Sequence, residues 1–160
     1  MFTWFGYLRD MENLRLEELS AANAQQANSI ELVPGQEAFE TPVTYEHYES
    51  SLNLGNTWSR VIIADDEVVG FVRAHFDSQH EQPELRSALW RVSVAASAQG
   101  QGVGRFAITA ASEEARTHGL TELTAVWSPD DKGPGDFFHK LGFHDSGITE
   151  YGDQIGTLSL

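Results

Sequence analysis

Glycine recurs at every second position in the segment Gln99-Gly100-Gln101-Gly102-Val103-Gly104. An apolar, strand-like stretch precedes this segment, and a stretch with helical periodicity follows it. A glycine turn between a strand and a helix gathers backbone N–H groups at the helix N-terminus, where they bind phosphate oxygens. Glycine suits such a turn because it accepts positive φ and lets a ligand approach the backbone closely. The segment predicts a site for a phosphorylated ligand, and a surface turn without a ligand is the alternative.

The spacing differs from two well-known phosphate loops. A P-loop needs Lys followed by Ser or Thr after its last glycine, whereas Arg105 and Phe106 stand here. A dinucleotide fingerprint has the form G-x-G-x-x-G, and the glycines at 100, 102 and 104 do not fit it. Nucleotide hydrolysis and NAD binding are therefore disfavoured.

The composition limits the classes of partner. The formal net charge of −14 over 160 residues opposes binding to nucleic acid or to an anionic membrane. It permits a cationic substrate such as an amine, but on charge alone an acidic surface that only maintains solubility is the simpler explanation. The absence of cysteine excludes disulfides and a thiol nucleophile, and the histidine spacing predicts no metal site. No apolar run is long enough to span a membrane, and residues 1–11 lack a signal-peptide pattern, so we expect a cytoplasmic protein with an N-terminal extension.

The hydrophobic pattern predicts an α+β fold built on one mostly antiparallel sheet. Asp65-Asp66 is expected to join two strands as a hairpin, and Gly119 and Gly142 are expected to end helices. The predicted strands are 14–19, 58–64, 67–75, 85–95, 120–127, 143–150 and 154–160, and the predicted helices are 21–30, a helix from 44 to before 55, 105–118 and 134–141.

Two motifs together resemble the GNAT superfamily of N-acetyltransferases. The glycine segment at 99–104 matches the superfamily's (Gln/Arg)-x-x-Gly-x-(Gly/Ala) signature, and Phe137-Phe138-His139-Lys140-Leu141-Gly142-Phe143 resembles its later Leu-Tyr-x-x-Leu-Gly-Phe motif. The order of the predicted elements also fits, so the resemblance covers residues 12–160 as one domain. Segment 36–42 and Gly152-Asp153 are similar to a bacterial branch described as polyamine or diamine acetyltransferases.

The resemblance implies that acetyl-CoA is the donor, that a primary amine of a small molecule is the acceptor, and that the amine attacks the thioester directly. The diphosphate would lie on the glycine segment and the pantetheine arm along the preceding strand, where two strands splay apart. The Val94 amide would stabilise the oxyanion, Asp131 stands where an Asn is usual, and Phe138 replaces the usual Tyr. The cofactor contacts implied are Val92, Ser93, Val94, Gln99, Gly100, Gln101, Gly102, Val103, Gly104, Asp131 and Phe138.

The catalytic and acceptor residues are less determined. Glu84 and His75 are candidates for the general base, although solvated surface positions are the ordinary interpretation of both. Phe138 has no hydroxyl, so the proton donor is unassigned. Arg91 can hold a substrate carboxylate, or it can be an outward-facing residue paired with an acid. The expected acceptor contacts are Gln36, Phe39, Trp90 and Arg91.

Two other functions are compatible with these residues. Without the Tyr hydroxyl, the chain can be an interaction or sensing module that binds acetyl-CoA without efficient catalysis. It can also acetylate a protein lysine or N-terminus, which an open cleft would favour, whereas a lid formed by residues 34–54 would favour a small acceptor. The family resemblance also permits a homodimer.

Overall fold

The structure is a computed structural model that describes residues 13–36 and 54–160. The expectations for the N-terminal extension, for Phe39 and for the helix from residue 44 lie outside the described residues.

The predicted α+β architecture is confirmed. The described part of the chain forms a seven-stranded sheet in the order β1-β2-β3-β4-β5-β7-β6. Neighbouring strands are antiparallel except for β4 and β5. The strands are β1 Leu14–Glu18, β2 Thr57–Ala64, β3 Glu67–Phe76, β4 Ser87–Val94, β5 Glu122–Trp127, β6 His144–Ile148 and β7 Gln154–Ser159, and the helices are α1 Ala24–Asn28, α2 Val103–Thr117 and α3 Gly135–Lys140.

Local residue chemistry accounts for several element boundaries. Asp65 and Asp66 both have positive φ (47° and 72°), as a two-residue hairpin turn requires, so they join β2 to β3. Helix α1 begins later than predicted because the buried Asn23 side chain accepts from the Ser20 N–H and donates to the Glu18 carbonyl, at 2.9 Å each. These bonds hold residues 20–23 in a turn. Strand β4 also begins later than predicted, after the 3₁₀ turn Pro83–Leu85.

Helix α2 packs its small residues against the sheet. Val103, Ala107, Ala111 and Ala115 recur at spacings of four residues, and all are buried. Small side chains let the helix axis approach the strands closely, and their burial excludes water from that face. Gly119, at φ +74°, follows the end of the helix, as predicted. None of the described helices is long and apolar enough to cross a membrane.

Strands β4 and β5 diverge near the middle of the sheet. They pair in parallel at Ala88–Thr124 and Leu89–Ala125 and at no later position of the described sheet. Next to this point β4 carries a bulge, because Ala74 of β3 pairs with Leu89 whereas Arg73 pairs with Arg91, leaving Trp90 as the extra residue. The divergence opens the predicted gap between the two strands.

Candidate active site

A cleft of about 230 Å³ lies where β4 and β5 diverge. Its walls come from the end of β4, from the segment that follows α1, and from the connection between β5 and α3. Five of the predicted cofactor and acceptor residues are therefore brought together in one place. The lining residues are Leu32, Gln36, Val92, Ser93, Val94, Gln99, Lys132, Gly133, Pro134 and Phe137.

The backbone of β4 presents hydrogen-bonding groups to this cleft. The Ala95 N–H donates to the Val69 carbonyl at 2.8 Å, which makes those residues a hydrogen-bonded antiparallel pair. Because such pairs alternate along the ladder, Ser93 and Arg91 also bond to β3, while the N–H groups of Val92 and Val94 point away from β3. The divergence of β5 leaves that edge of β4 open to a ligand.

The glycine segment has the geometry of an anion site. Gly100 and Gly102 adopt φ of +72° and +86°, and Gly102 is the N-cap of α2. The first hydrogen bond of the helix runs from the Phe106 N–H to the Gly102 carbonyl at 2.9 Å. The amides that precede Phe106 in α2 thus point out of its N-terminus, and among the described residues no side chain caps them. The Val103 side chain is buried in the core, so only its backbone is available to a ligand.

Gln99 ties the cleft walls together. Its Nε2 donates to the Val94 carbonyl at 2.8 Å and to Oε1 of Gln36 at 3.2 Å. The same Gln36 oxygen accepts from the Val33 N–H at 3.3 Å. These bonds hold the segment after α1 against the start of the glycine segment. Gln101 contributes differently, since its side chain donates to the Ser97 carbonyl at 3.1 Å outside the cleft lining.

The aromatic ring that lines the cleft is Phe137, whereas the sequence predicted Phe138. Phe138 is buried in the hydrophobic core, where it stacks on Trp127 with ring centroids 4.9 Å apart and meets Phe143 edge-on at 5.3 Å. Adjacent helical residues point about 100° apart, so only one of the two rings can face the cleft. Of these two rings, Phe137 and not Phe138 belongs to the described cleft lining, so a ligand in the cleft would meet Phe137.

The charged residue at the cleft is Lys132, whereas the sequence predicted Asp131. Asp131 is exposed and lines a separate acidic depression with Asp130, Asp136 and Asp145. The Lys132 N–H donates to the Asp130 carboxylate at 2.8 Å. This bond fixes the turn in which Lys132 lines the cleft while Asp131 lines the other depression. A cation at this position favours phosphate or carboxylate groups, and the Asp131 carboxylate, which would repel them, is absent from the described cleft lining.

The two candidate bases lie away from the cleft. His75 pairs with Ala88, four residues before Val92, which is a separation of about 13 Å along the strand. His75 is 2% exposed, so the expected surface position is wrong for this residue. Its Nδ1 lies 3.3 Å from the Leu85 carbonyl, and burial lowers its pKa. Glu84 is partly buried in the turn before β4, and its carbonyl accepts from the Thr124 hydroxyl.

The two acceptor candidates on β4 lie on the sheet face opposite α2. Trp90 is buried against Leu85 and Ala88, so its ring is part of a small apolar cluster on this face. Arg91 is partly buried, and its Nε donates to the Ser93 hydroxyl at 3.1 Å. Arg73 lies opposite it on β3, a neighbour that sequence reasoning missed. The sequence places Arg73 on the same strand face as Phe71 and His75, because the three are two residues apart. Only the strand register shows that Arg73 lies opposite Arg91.

The comparisons with known proteins agree with this geometry. The GNAT domain of S. lividans PAT matches with a TM-score of 0.69 at 14% identity, covering 92% of this chain and 90% of that chain. The ribosomal-protein-S18-alanine N-acetyltransferase from Escherichia coli matches with a TM-score of 0.62 at 14% identity, covering 91% and 93%. A GNAT family acetyltransferase from Elizabethkingia anophelis with acetyl-CoA bound matches with a TM-score of 0.60 at 14% identity, covering 93% and 99%. At these identities the likeness shows the fold.

A comparison with curated protein sequences found no significant match. The family comparison is decisive, because the model described as Acetyltransferase (GNAT) family matches residues 17–143. That range contains β4, the glycine segment, α2 and α3, and it includes every residue of the described cleft lining. The chain belongs to the GNAT family of acetyltransferases.

Proposed function

We propose that this acetyl-CoA-dependent acetyltransferase transfers the acetyl group to a primary amine of a small molecule within a ternary complex. The observation that carries the choice of acceptor is the Gln36–Gln99 hydrogen bond, which draws the segment after α1 across the cleft. One structural neighbour is named for an alanine of a ribosomal protein, so fold likeness does not favour a small acceptor. The proposal rests on the cleft of this chain.

The size of the cleft supports a small acceptor. Its volume of about 230 Å³ is below the roughly 300–1,000 Å³ that is typical of small-molecule sites. Leu32 and Gln36 cover one side, and Pro134 and Phe137 cover the other. Such a cleft accommodates the acyl arm and a slender amine, whereas a folded protein segment would need a wider opening.

The backbone of the cleft suits acetyl transfer. The amides at the N-terminus of α2 would bind the diphosphate of CoA, and Lys132 adds positive charge at the cleft wall. The outward N–H of Val92 would hold the pantetheine arm. The outward N–H of Val94 would donate to the thioester oxygen, where negative charge develops during attack. The Gln99 side chain holds Val94 in place through its carbonyl.

The reaction joins the amine nitrogen to the acetyl carbon and breaks the carbon–sulfur bond. A free alkylamine has a pKa near 10, so it must lose a proton before it attacks. The leaving thiolate then takes up one proton, and the products are the N-acetyl amine and the thiol of CoA. Phe138 cannot supply that proton, because its side chain has no hydroxyl and lies in the core. Solvent at the open side of the cleft is the proposed proton carrier. Holding the two substrates side by side supplies much of the rate.

A screen of amine acceptors tests the proposal. Purified protein and acetyl-CoA are mixed with polyamines, aminoglycosides, amino acids and lysine-containing peptides, and the released thiol is measured. Turnover of at least one small amine above the rate of acetyl-CoA hydrolysis supports the proposal. Turnover of peptides or proteins alone would assign a protein acetyltransferase. Binding of acetyl-CoA without transfer to any member would assign a sensing module.

A further inference from the structure

We infer that Lys132 is a self-acetylation site, at which the protein transfers an acetyl group to the wall of its own cleft. The inference rests on the acetyl-CoA cleft of the proposed function, and its acceptor is a lysine of the same chain. Lys132 belongs to the described cleft lining, together with Val92 and Val94 of β4. The fold thus places a primary amine in the cleft that is proposed to acetylate one.

The loop before α3 holds the backbone of Lys132 in place and leaves its amine available. The Lys132 N–H donates to the Asp130 carboxylate at 2.8 Å, and the Gly133 N–H donates to the Asp130 carbonyl at 2.8 Å. Within residues 13–36 and 54–160, no hydrogen bond or ion pair engages the side-chain amine of Lys132. Lys132 is exposed, and its amine stands on a flexible four-carbon stem. The amine can therefore turn into the cleft without breaking an interaction.

The chemical step is the one proposed for a small amine, with Nζ of Lys132 as the nucleophile. The ammonium group loses a proton to solvent, and the neutral amine attacks the acetyl carbon. A nitrogen–carbon bond forms, and the carbon–sulfur bond breaks with its electron pair on sulfur. The nitrogen releases a second proton and the thiolate takes one up, so the products are acetyl-lysine, the thiol of CoA and one proton. Holding both reactants in one molecule raises their effective concentration.

Acetylation changes the charge of the cleft. Lys132 is the one charged residue of the described cleft lining, and an acetylated lysine is neutral. The modified side chain no longer attracts the phosphates of CoA, and its added bulk reduces a volume of about 230 Å³. Protein that meets acetyl-CoA without an acceptor would therefore weaken its own binding of the cofactor.

Lys140 is an internal control for this reaction. The sequence contains only two lysines, Lys132 and Lys140. Lys140 ends α3 and is also exposed, but it does not belong to the described cleft lining. Non-enzymatic acetylation by acetyl-CoA acts on exposed amines without regard to the cleft. The ratio of the two acetylation rates therefore separates the enzymatic reaction from the chemical one.

Incubation of the full chain with acetyl-CoA, followed by peptide mass spectrometry, tests the inference. Lys132 should be acetylated at least about tenfold faster than Lys140. Gly102→Glu should abolish this difference and leave the slow acetylation of Lys140 unchanged, since its glutamate competes for the amides that begin α2. An excess of CoA should have the same effect on the wild-type protein, which keeps the test decisive if Gly102→Glu does not fold. Equal rates at both lysines, a difference that survives in Gly102→Glu or under excess CoA, or a rate constant that rises with protein concentration would overturn acetylation within one chain.

Two substitutions of Lys132 test the effect of its charge. Lys132→Arg keeps the positive charge without an acetylatable amine, so the acetylated peptide should disappear. Lys132→Gln is neutral like the acetylated side chain, and it should bind CoA about twofold to fivefold more weakly than Lys132→Arg, as expected for an exposed charge. Calorimetric titration measures the difference. Equal affinities of the two variants would overturn the effect of acetylation on cofactor binding.

The outcomes separate this inference from the proposed function. Turnover of small amines with Lys132 acetylated no faster than Lys140 overturns the self-acetylation site while the proposed function stands. Preferential acetylation of Lys132 without turnover of any small amine supports the site and overturns the small acceptor. Preferential acetylation of Lys132 that an accepted amine suppresses supports both, because two nucleophiles then compete for one thioester. Acetylation of neither a small amine nor Lys132 overturns both.

Discussion

The ring of Phe137 occupies the space that a β-carbon on Gly104 would need. A Cβ built on Gly104 would lie 2.6 Å from Cε2 and 2.8 Å from Cζ of that ring. Gly104 stands in the first turn of α2, and Phe137 is the aromatic residue of α3 that lines the cleft. The glycine therefore sets how closely α3 approaches the N-terminus of α2, and with it the width of the cleft.

Gly104→Ala should destabilise the protein and weaken its binding of acetyl-CoA. The added methyl group forces the Phe137 ring to move, which costs about 1–3 kcal/mol for an overpacked site. The ring can move only by changing the cleft wall, so affinity should fall together with stability. Thermal unfolding and calorimetric titration with acetyl-CoA measure the two effects.

Gly156→Ala is the control for this prediction. A Cβ at Gly156 would also clash with an aromatic ring, that of Trp127, but Gly156 does not line the cleft. This variant should lose stability while the folded protein keeps its affinity. Equal affinities of the Gly104→Ala and wild-type proteins would contradict the assigned role of the Gly104–Phe137 contact.

Gly102→Glu should abolish measurable binding of acetyl-CoA. Its side chain would add bulk and negative charge at the N-terminus of α2, where the new carboxylate competes for the amides assigned to the diphosphate. We expect affinity to fall by about a hundredfold or more, equivalent to about 2.8 kcal/mol. Gly119→Glu imposes a similar backbone strain, since Gly119 has φ +74° against +86° for Gly102, but at the opposite end of the helix. Calorimetry that gives the two variants the same affinity would refute the anion site.

Phe138→Tyr should not raise turnover. The family resemblance suggests that the new hydroxyl would restore a missing proton donor. The Phe138 ring, however, is 9% exposed and packs against Trp127, Phe137 and Phe143. A hydroxyl buried there without a partner costs about 1–3 kcal/mol. Phe143→Tyr, at a residue that is 3% exposed in the same cluster, should give a comparable loss of stability. A rise in kcat for Phe138→Tyr with unchanged stability would show that the hydroxyl reaches the thioester.

His75 should make the protein sensitive to acid. Burial is the main cause that lowers its pKa, opposed by the hydrogen bond to Leu85 and by the charge of Asp77. Above about pH 6.5 both the folded and the unfolded chain hold this group neutral. Below that pH the unfolded chain binds a proton that the folded chain resists, so the free energy of unfolding falls by up to about 1.4 kcal/mol per pH unit.

Denaturant unfolding between pH 5 and pH 8 measures this contribution. His75→Leu should show a flatter dependence of the free energy of unfolding on pH than the wild-type protein. His144→Leu, which changes an exposed histidine on β6, is the matched control. Identical slopes for all three proteins would mean that His75 does not contribute to acid unfolding.

Local sequence signals predicted the elements around the cleft well. The spacing of Gly100 and Gly102 identified a turn that needs positive φ, and the helical periodicity of the stretch that follows identified α2. These features depend on the conformational preferences of neighbouring residues, which a single sequence records. The pairing of strands distant in sequence, and hence the seven-stranded order, is given by the structure and not by local sequence signals.

The sequence alone does not determine which of two adjacent residues faces the cleft. Whether Phe137 or Phe138 faces the cleft depends on the rotation of α3, and whether Asp131 or Lys132 does depends on a turn in the loop before it. The Arg73–Arg91 pair depends on the bulge at Trp90, because without that extra residue Arg73 would pair with Trp90. Each outcome follows from tertiary packing, which local propensity does not specify.

The central claim is that acetyl-CoA lies in the gap between β4 and β5, with its diphosphate on the amides that begin α2. Mapping backbone amide chemical shifts during titration with CoA tests this most directly. We predict that the largest shifts occur at residues 100–105, together with Val92 and Val94, whose N–H groups face the gap. Shifts confined to other parts of the sheet, or saturable binding that leaves these amides unchanged, would contradict the account.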